Sequence, residues 1–213
     1  AGSAIGLGAI WKFPYTAGTN GGAVFVLMFL VFTILVALPV QLAEFYIGRK
    51  SGKNAVDAFK TLALNSLWPW IGRMGVFACF ILLSFYSVVG GWVLNYVVHA
   101  FDGSIHQNAD FGALFGSTIS NPVGSISYQG LFMLMTVWVV KSGIAAGIER
   151  ANKYMMPALF VLLILLAIRS LTLDGAMAGI SFLLKPDWSH FTPQTMLTAL
   201  GQAFFALSLG VST

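Results

Sequence analysis

The chain has 213 residues, of which 58% are hydrophobic and 8% charged, and its mean hydropathy is +0.85. No water-soluble domain of this length needs so much apolar material for its core, so the composition excludes that class and indicates an integral membrane protein. The net charge of +4 is scattered through short loops rather than striped along one helix, so the lipid bilayer is an expected partner and nucleic acid is not.

A membrane-spanning helix needs about 20 mainly apolar residues. The chain opens inside one apolar segment, and five more follow at roughly 22–47, 74–101, 125–140, 151–171 and 192 to the end, giving six spans, the first and last cut short. The sequence is therefore expected to be part of a longer protein. Pro39 should bend the second span, and Pro157 should weaken the cytoplasmic half of the fifth by removing a backbone hydrogen bond. The fourth span has the least distinct start, near Gly124-Ser125, whereas Thr192-Pro193 reads as an N-cap followed by proline in the first helical turn.

Lys and Arg set the orientation. Arg49, Lys50, Lys53, Lys60 and Arg73 lie between spans two and three, and Lys141, Arg150 and Lys153 between four and five. These connections are expected on the cytoplasmic side, and the acidic or nearly uncharged ones outside. Cys79 stands alone in an apolar run and reads as a small packing residue. With no second cysteine for a disulfide and no Asn-x-Ser/Thr sequon, a bacterial cell (inner) membrane is expected, with several passes through it.

The opening stretch, Ala1 to Pro14, carries Gly2, Gly6 and Gly8 inside an apolar segment. One reading is close helix packing, since Gly2 and Gly6 have GxxxG spacing. Another takes account of a second interruption, Ser208-Leu209-Gly210, in the sixth span. Glycine interruptions at matching places in two five-helix halves point to unwound helices around a central binding site. There, exposed carbonyls suit a cation, and a half-helix amino terminus near Gly8 suits a carboxylate. This pairing suggests an amino acid moving with sodium.

The stretches GSAIGLGAIWKFPYTAGTNGG (2–22), AEFYIGR (43–49), SFYSVVGGW (84–92), LKPDWS (184–189) and GQAFFALSLG (201–210) resemble the neurotransmitter:sodium symporter family, in particular its bacterial amino acid branch. The resemblance implies an all-α integral membrane protein with a five-helix inverted-repeat transporter fold, helices one and six being broken at mid-membrane. Residues 1–213 would be the N-terminal part of one transport domain, comprising helices one to five and most of six, with the C-terminal half absent. The implied function is sodium-coupled symport of hydrophobic L-amino acids by alternating access, with two sodium ions and no enzymatic activity.

Residue by residue, the resemblance places the carbonyls of Gly2 and Ile5 on one sodium and those of Ala4 and Ala206 on the other. The substrate carboxylate would meet the N–H groups of Leu7 and Gly8 and the Tyr86 hydroxyl. Its ammonium would meet the carbonyls of Ala4, Phe205 and Ala206 and the Ser208 hydroxyl. Gly6 leaves room where amine carriers have an aspartate, and Leu82, Phe205 and Val211 would line an apolar side-chain pocket. Ala9 and Ala206 depart from the family's Asn and Thr, which shifts the second sodium toward backbone, substrate or water oxygens. Phe29 stands where chloride-dependent relatives have tyrosine, so no chloride requirement is implied.

Glu44 reads either as a snorkelling interfacial acid or, by the resemblance, as an acceptor for unwound backbone. Lys12 matches an outer-gate arginine whose acidic partner would lie in the absent half. The Gly147 to Pro157 spacing is connected in the family with opening a cytoplasmic water path. The rival to this reading is a non-transporting channel or assembly subunit whose glycines only pack helices.

Overall fold

The structure, a computed structural model, describes residues 6, 8–63, 66–107 and 110–210. The regular elements among them are helical. A π turn, Gly8–Lys12, runs into α1, Phe13–Thr19. The next helices are α2, Ala23–Ser51; α3, Ala55–Leu62; and α4, Pro69–Phe101. They are followed by α5, Phe111–Ser120; α6, Pro122–Lys141; α7, Arg150–Leu171; α8, Ala176–Leu184; and α9, Pro193–Ala206.

Among the described residues, four helical spans are long and apolar enough to cross a membrane: Ala23–Ser51, Pro69–Phe101, Pro122–Lys141 and Gly147–Leu171. They match the second to fifth predicted spans, but each extends past the hydropathy boundary because capping decides where a helix ends. For α6, the side-chain oxygen of Asn121 accepts the Gly124 N–H at 3.0 Å and Pro122 occupies the first turn, which moves the start three residues ahead of the apolar run. The fifth span begins earlier still, at a π turn over Ile144–Glu149 that leads into α7. The sixth starts where the sequence placed it, with the Thr192 hydroxyl accepting the Thr195 N–H at 3.2 Å, but its helix stops at Ala206. Hydropathy does not announce α3, α5 or α8, which lie in the connections and are too short to cross.

Two compact units divide the chain, one of Ala1–Val76 with Met156–Thr213 and the other of Phe77–Met155. In the first, α9 packs along α2, and α1 and α8 also pack on α2. The core there joins Ala17, Phe25 and Ala199, with Phe13 set edge-on to Phe29 at 4.8 Å between ring centres. Small residues on α1 and α9 let the aromatic side of α2 come close, so dispersion contacts fill the gap. Pro39 does not break α2. A π turn over Thr33–Ala37, in which the Leu38 N–H reaches the Thr33 carbonyl five residues back, immediately precedes the proline and keeps the helix continuous.

The second unit is held by polar links between α4 and α6. Gln129 donates to the Ser87 hydroxyl at 2.9 Å and the Trp92 indole to Ser125 at 3.3 Å, beside Gly90 and Gly91, where the helices approach closely. Cys79 lies on the exposed side of α4 in this chain.

Candidate functional site at the helix breaks

The end of α9 can be followed bond by bond. The Ser208 N–H donates to the Phe205 carbonyl and the Leu209 N–H to the Phe204 carbonyl, both at 3.1 Å. This paired pattern is a Schellman stop, which needs a left-handed residue between the helix and the departing chain. Ser208 fills that place at φ 52°, where glycine is usual and a side chain is disfavoured. In a continuing helix Gly210 would next donate to the Ala206 carbonyl. Instead its N–H donates to Oε1 of Glu44 on α2, at 2.6 Å. The Ala206 carbonyl therefore loses its helical partner, whereas the Phe205 carbonyl already accepts one N–H. The second oxygen of Glu44, Oε2, is buried and has no hydrogen-bond partner among the described residues.

Among the described residues of the first span, the earliest helical element starts at Gly8. Gly6 lies at a bend, and its carbonyl accepts the N–H groups of Ala9 at 3.0 Å and Ile10 at 3.2 Å. A Cβ added at Gly6 would meet nothing within 4 Å among the described residues. Gly8 is different. It is buried, and a Cβ there would collide with the ring of Phe205 from α9. The amine of Lys12 stands 5.0 Å from the centre of the same ring. Lys12 thus has an aromatic face as a partner, in addition to any acid that the sequence reading assigned to it. The two interrupted spans meet through this stack of Gly8, Phe205 and Lys12, and Glu44 ties down the strand leaving α9.

Sequence reasoning did not single out Gly75. A Cβ at this position would sit 2.5 Å from the Gly210 carbonyl oxygen, so α4 comes directly against the unwound segment. Gly75 is one of four glycines in this long apolar span, and the sequence does not reveal what approaches it.

Leu82 and Tyr86 are half-buried four residues apart on one face of α4, with Tyr86 edge-on to Phe85 at 6.1 Å. Gly147 lies in the π turn before α7, where a Cβ would collide with the Val139 carbonyl, and Pro157 lies exposed inside α7. Gly2, Ala4, Ile5, Leu7 and Val211 lie outside the described residues.

The sodium:neurotransmitter symporter family model matches residues 1–109 and 113–213. The chain belongs to that family. Its members are transporters, not enzymes. The chain is 56% identical to the uncharacterized sodium-dependent transporter YhdH of Bacillus subtilis over all of its own length and 48% of that protein. It is 29% identical to the sodium-dependent neutral amino acid transporter B(0)AT1 of Mus musculus, covering 98% of this chain and 37% of that one. Among solved structures, MhsT in complex with L-phenylalanine matches with a TM-score of 0.90 and 49% identity, over 99% of this chain and 48% of MhsT. The chain therefore spans 37–48% of the length of these relatives. The all-helical transporter fold with interrupted first and sixth helices is the fold expected from the sequence, and family and hydropathy together make this a multi-pass membrane chain.

Proposed function

We propose that the full-length protein is a sodium-coupled symporter of hydrophobic L-amino acids that works by alternating access. The chain of 213 residues would supply the N-terminal part of one transport domain, in the cell (inner) membrane. The supporting observation is the diversion of the Gly210 N–H to Glu44, which leaves the Ala206 carbonyl without its helical donor. Unpaired peptide groups in an apolar span are tolerated only where something other than lipid satisfies them, and a cation together with a zwitterion does so.

Sodium is carried as a second substrate, and two ions are proposed. One is held by the carbonyls of Gly2 and Ile5 and the other by those of Ala4 and Ala206. The amino acid carboxylate is assigned to the N–H groups of Leu7 and Gly8 and to the Tyr86 hydroxyl. The ammonium is assigned to the carbonyls of Ala4, Phe205 and Ala206 and to Ser208. Gly6 leaves space for the substrate, and Leu82, Phe205 and Val211 favour an apolar side chain by about 0.8 kcal/mol per buried methylene. Each charge alone is costly at that depth, but together they neutralise one another, so binding of either solute favours the other. Lys12 and the Phe205 ring form the outer gate in this reading. The π turn at Gly147 and the missing donor at Pro157 mark where α7 loosens for release to the cytoplasm. The relatives named for neutral amino acids and the phenylalanine complex of MhsT support the substrate class.

The test is uptake of leucine, tryptophan and glycine by full-length protein in vesicles, with sodium exchanged for potassium. Leucine and tryptophan should accumulate only with sodium, and glycine poorly. Accumulation that is indifferent to sodium, or no saturable binding of any of the three, would overturn the reading.

A further inference from the structure

The corner where α2, α3 and α4 meet has a composition that the proposed solute site does not draw on. Between residues 45 and 76 the sequence holds Arg49, Lys50, Lys53, Lys60 and Arg73 against a single acid, Asp57. That acid is already engaged. It accepts from Asn54 Nδ2 at 2.8 Å and pairs with Lys60 at 3.2 Å. The other four cations are exposed, and none makes an ion pair among the described residues.

Tertiary structure brings these charges together. α3 packs on the end of α2, and its first residues lie on buried Gly72, where a Cβ would stand 2.5 Å from the Ala55 carbonyl oxygen and 2.8 Å from Val56 Cα. This contact sets Lys53, two residues before Ala55, near Arg73, the neighbour of Gly72, although they lie 20 positions apart in the sequence. Arg49 and Lys50 occupy the last turn of α2 beside them.

Aromatic rings share this corner. The Arg73 guanidinium lies 4.9 Å from the Trp70 ring centre and the Lys50 amine 5.5 Å from that of Tyr46. Trp68 and Trp70 are each 57% exposed, and Leu67, next to them, is 81% exposed. Tryptophan and tyrosine beside cations at the ends of two membrane-length helices match the chemistry of the headgroup layer, where rings sit among glycerol and ester groups and cations meet phosphate. A soluble acidic partner would not call for the exposed indoles and leucine.

We propose that this corner is a binding site for an anionic phospholipid of the cytoplasmic leaflet. Arg49, Lys50, Lys53 and Arg73 hold the headgroup phosphate, and Trp68 and Trp70 hold the glycerol and the upper acyl chain. A guanidinium stacked on an indole keeps its N–H edge directed outward for phosphate, which a freely rotating amine does less well. The site does not depend on which solute is carried.

The experiment uses delipidated full-length protein in neutral detergent, titrated with phosphatidylglycerol or phosphatidylcholine of equal chain length and read by native mass spectrometry. Wild type should bind phosphatidylglycerol about 10-fold or more tightly than phosphatidylcholine, as expected where several cations meet one anionic headgroup. The combined variant R49Q/K50Q/K53Q/R73Q should bring the two lipids to within about twofold. Lys60→Gln, whose cation is already paired, should leave the preference unchanged, and W68A/W70A should weaken both lipids. Equal affinity of wild type for the two lipids would overturn the proposal without reliance on any variant, as would a preference that survives the combined variant. Full displacement of phosphatidylglycerol by millimolar inorganic phosphate would also overturn it, because the site would then recognise a free anion rather than a lipid.

Discussion

Two helices in the same unit are interrupted, with opposite outcomes. In α2 the proline at position 39 removes a donor, yet the helix runs unbroken over 29 residues because the π turn at Thr33–Ala37 absorbs the misfit within the backbone. In α9 no proline is present at the break, yet the helix stops at Ala206 and the chain turns through a left-handed serine. The difference lies outside the helix. In α9 the N–H that would have continued the helix is diverted to an outside acceptor, Glu44, whereas Pro39 has no N–H to divert and the turn before it re-pairs within α2. A helix inside an apolar span opens where a neighbour accepts its released hydrogen bonds, and otherwise it rearranges internally.

The contrast is tested most strongly at Glu44. Glu44→Ala leaves the Gly210 N–H without its acceptor, which costs about 1–3 kcal/mol. Sodium-dependent binding of labelled amino acid by full-length protein should fall about 5- to 150-fold, while Glu44→Gln, which keeps an acceptor oxygen, should lose less. Unchanged binding in Glu44→Ala would mean that the break does not depend on this acid. Gly75→Ala should have the next largest effect. Its methyl group meets the Gly210 carbonyl at 2.5 Å, an overpacking worth about 1–3 kcal/mol, so thermal stability should drop by several degrees and binding should weaken with it.

Ser208→Gly separates conformation from chemistry. The left-handed φ suits glycine, so melting temperature should hold or rise slightly, by the equivalent of up to about 1 kcal/mol. Substrate affinity should nevertheless fall if the hydroxyl meets the ammonium. Pro39→Ala is the counterpart in α2, where the helix already copes, and binding should stay within about twofold of wild type.

The smallest expected effect is at Asp187, outside the membrane-spanning segments. Hydrogen bonds from the Ser189 side chain, and then from its backbone, hold this carboxyl below its ordinary 3.8. A lowered folded-state value stabilises the protein above the ordinary carboxylate range, and the contribution is lost as pH falls through that range. Melting temperature should therefore decline slightly more on acidification in wild type than in Asp187→Asn.

Much of this molecule was legible from the amino-acid order because membrane burial imposes local rules. About 20 apolar residues make a span, Thr192-Pro193 starts a helix, and the glycine and serine runs at the two ends mark where helices give way. The positions of Gly6, Gly8 and Ser208 could be read this way because glycine spacing and flanking apolar residues are local signals. Other features depended on which surfaces meet. These include the ring of Phe205 over Gly8, the Lys12 amine above that ring, the approach of Gly75 to the Gly210 carbonyl, and the docking of α3 on Gly72 that gathers distant cations. Each involves groups far apart in sequence whose encounter is set by packing, and packing of side chains has no period in the primary structure. Sequence determined that the helices would be interrupted. Tertiary structure decided which of them stayed whole, because only a folded neighbour can accept the hydrogen bonds that an interruption releases.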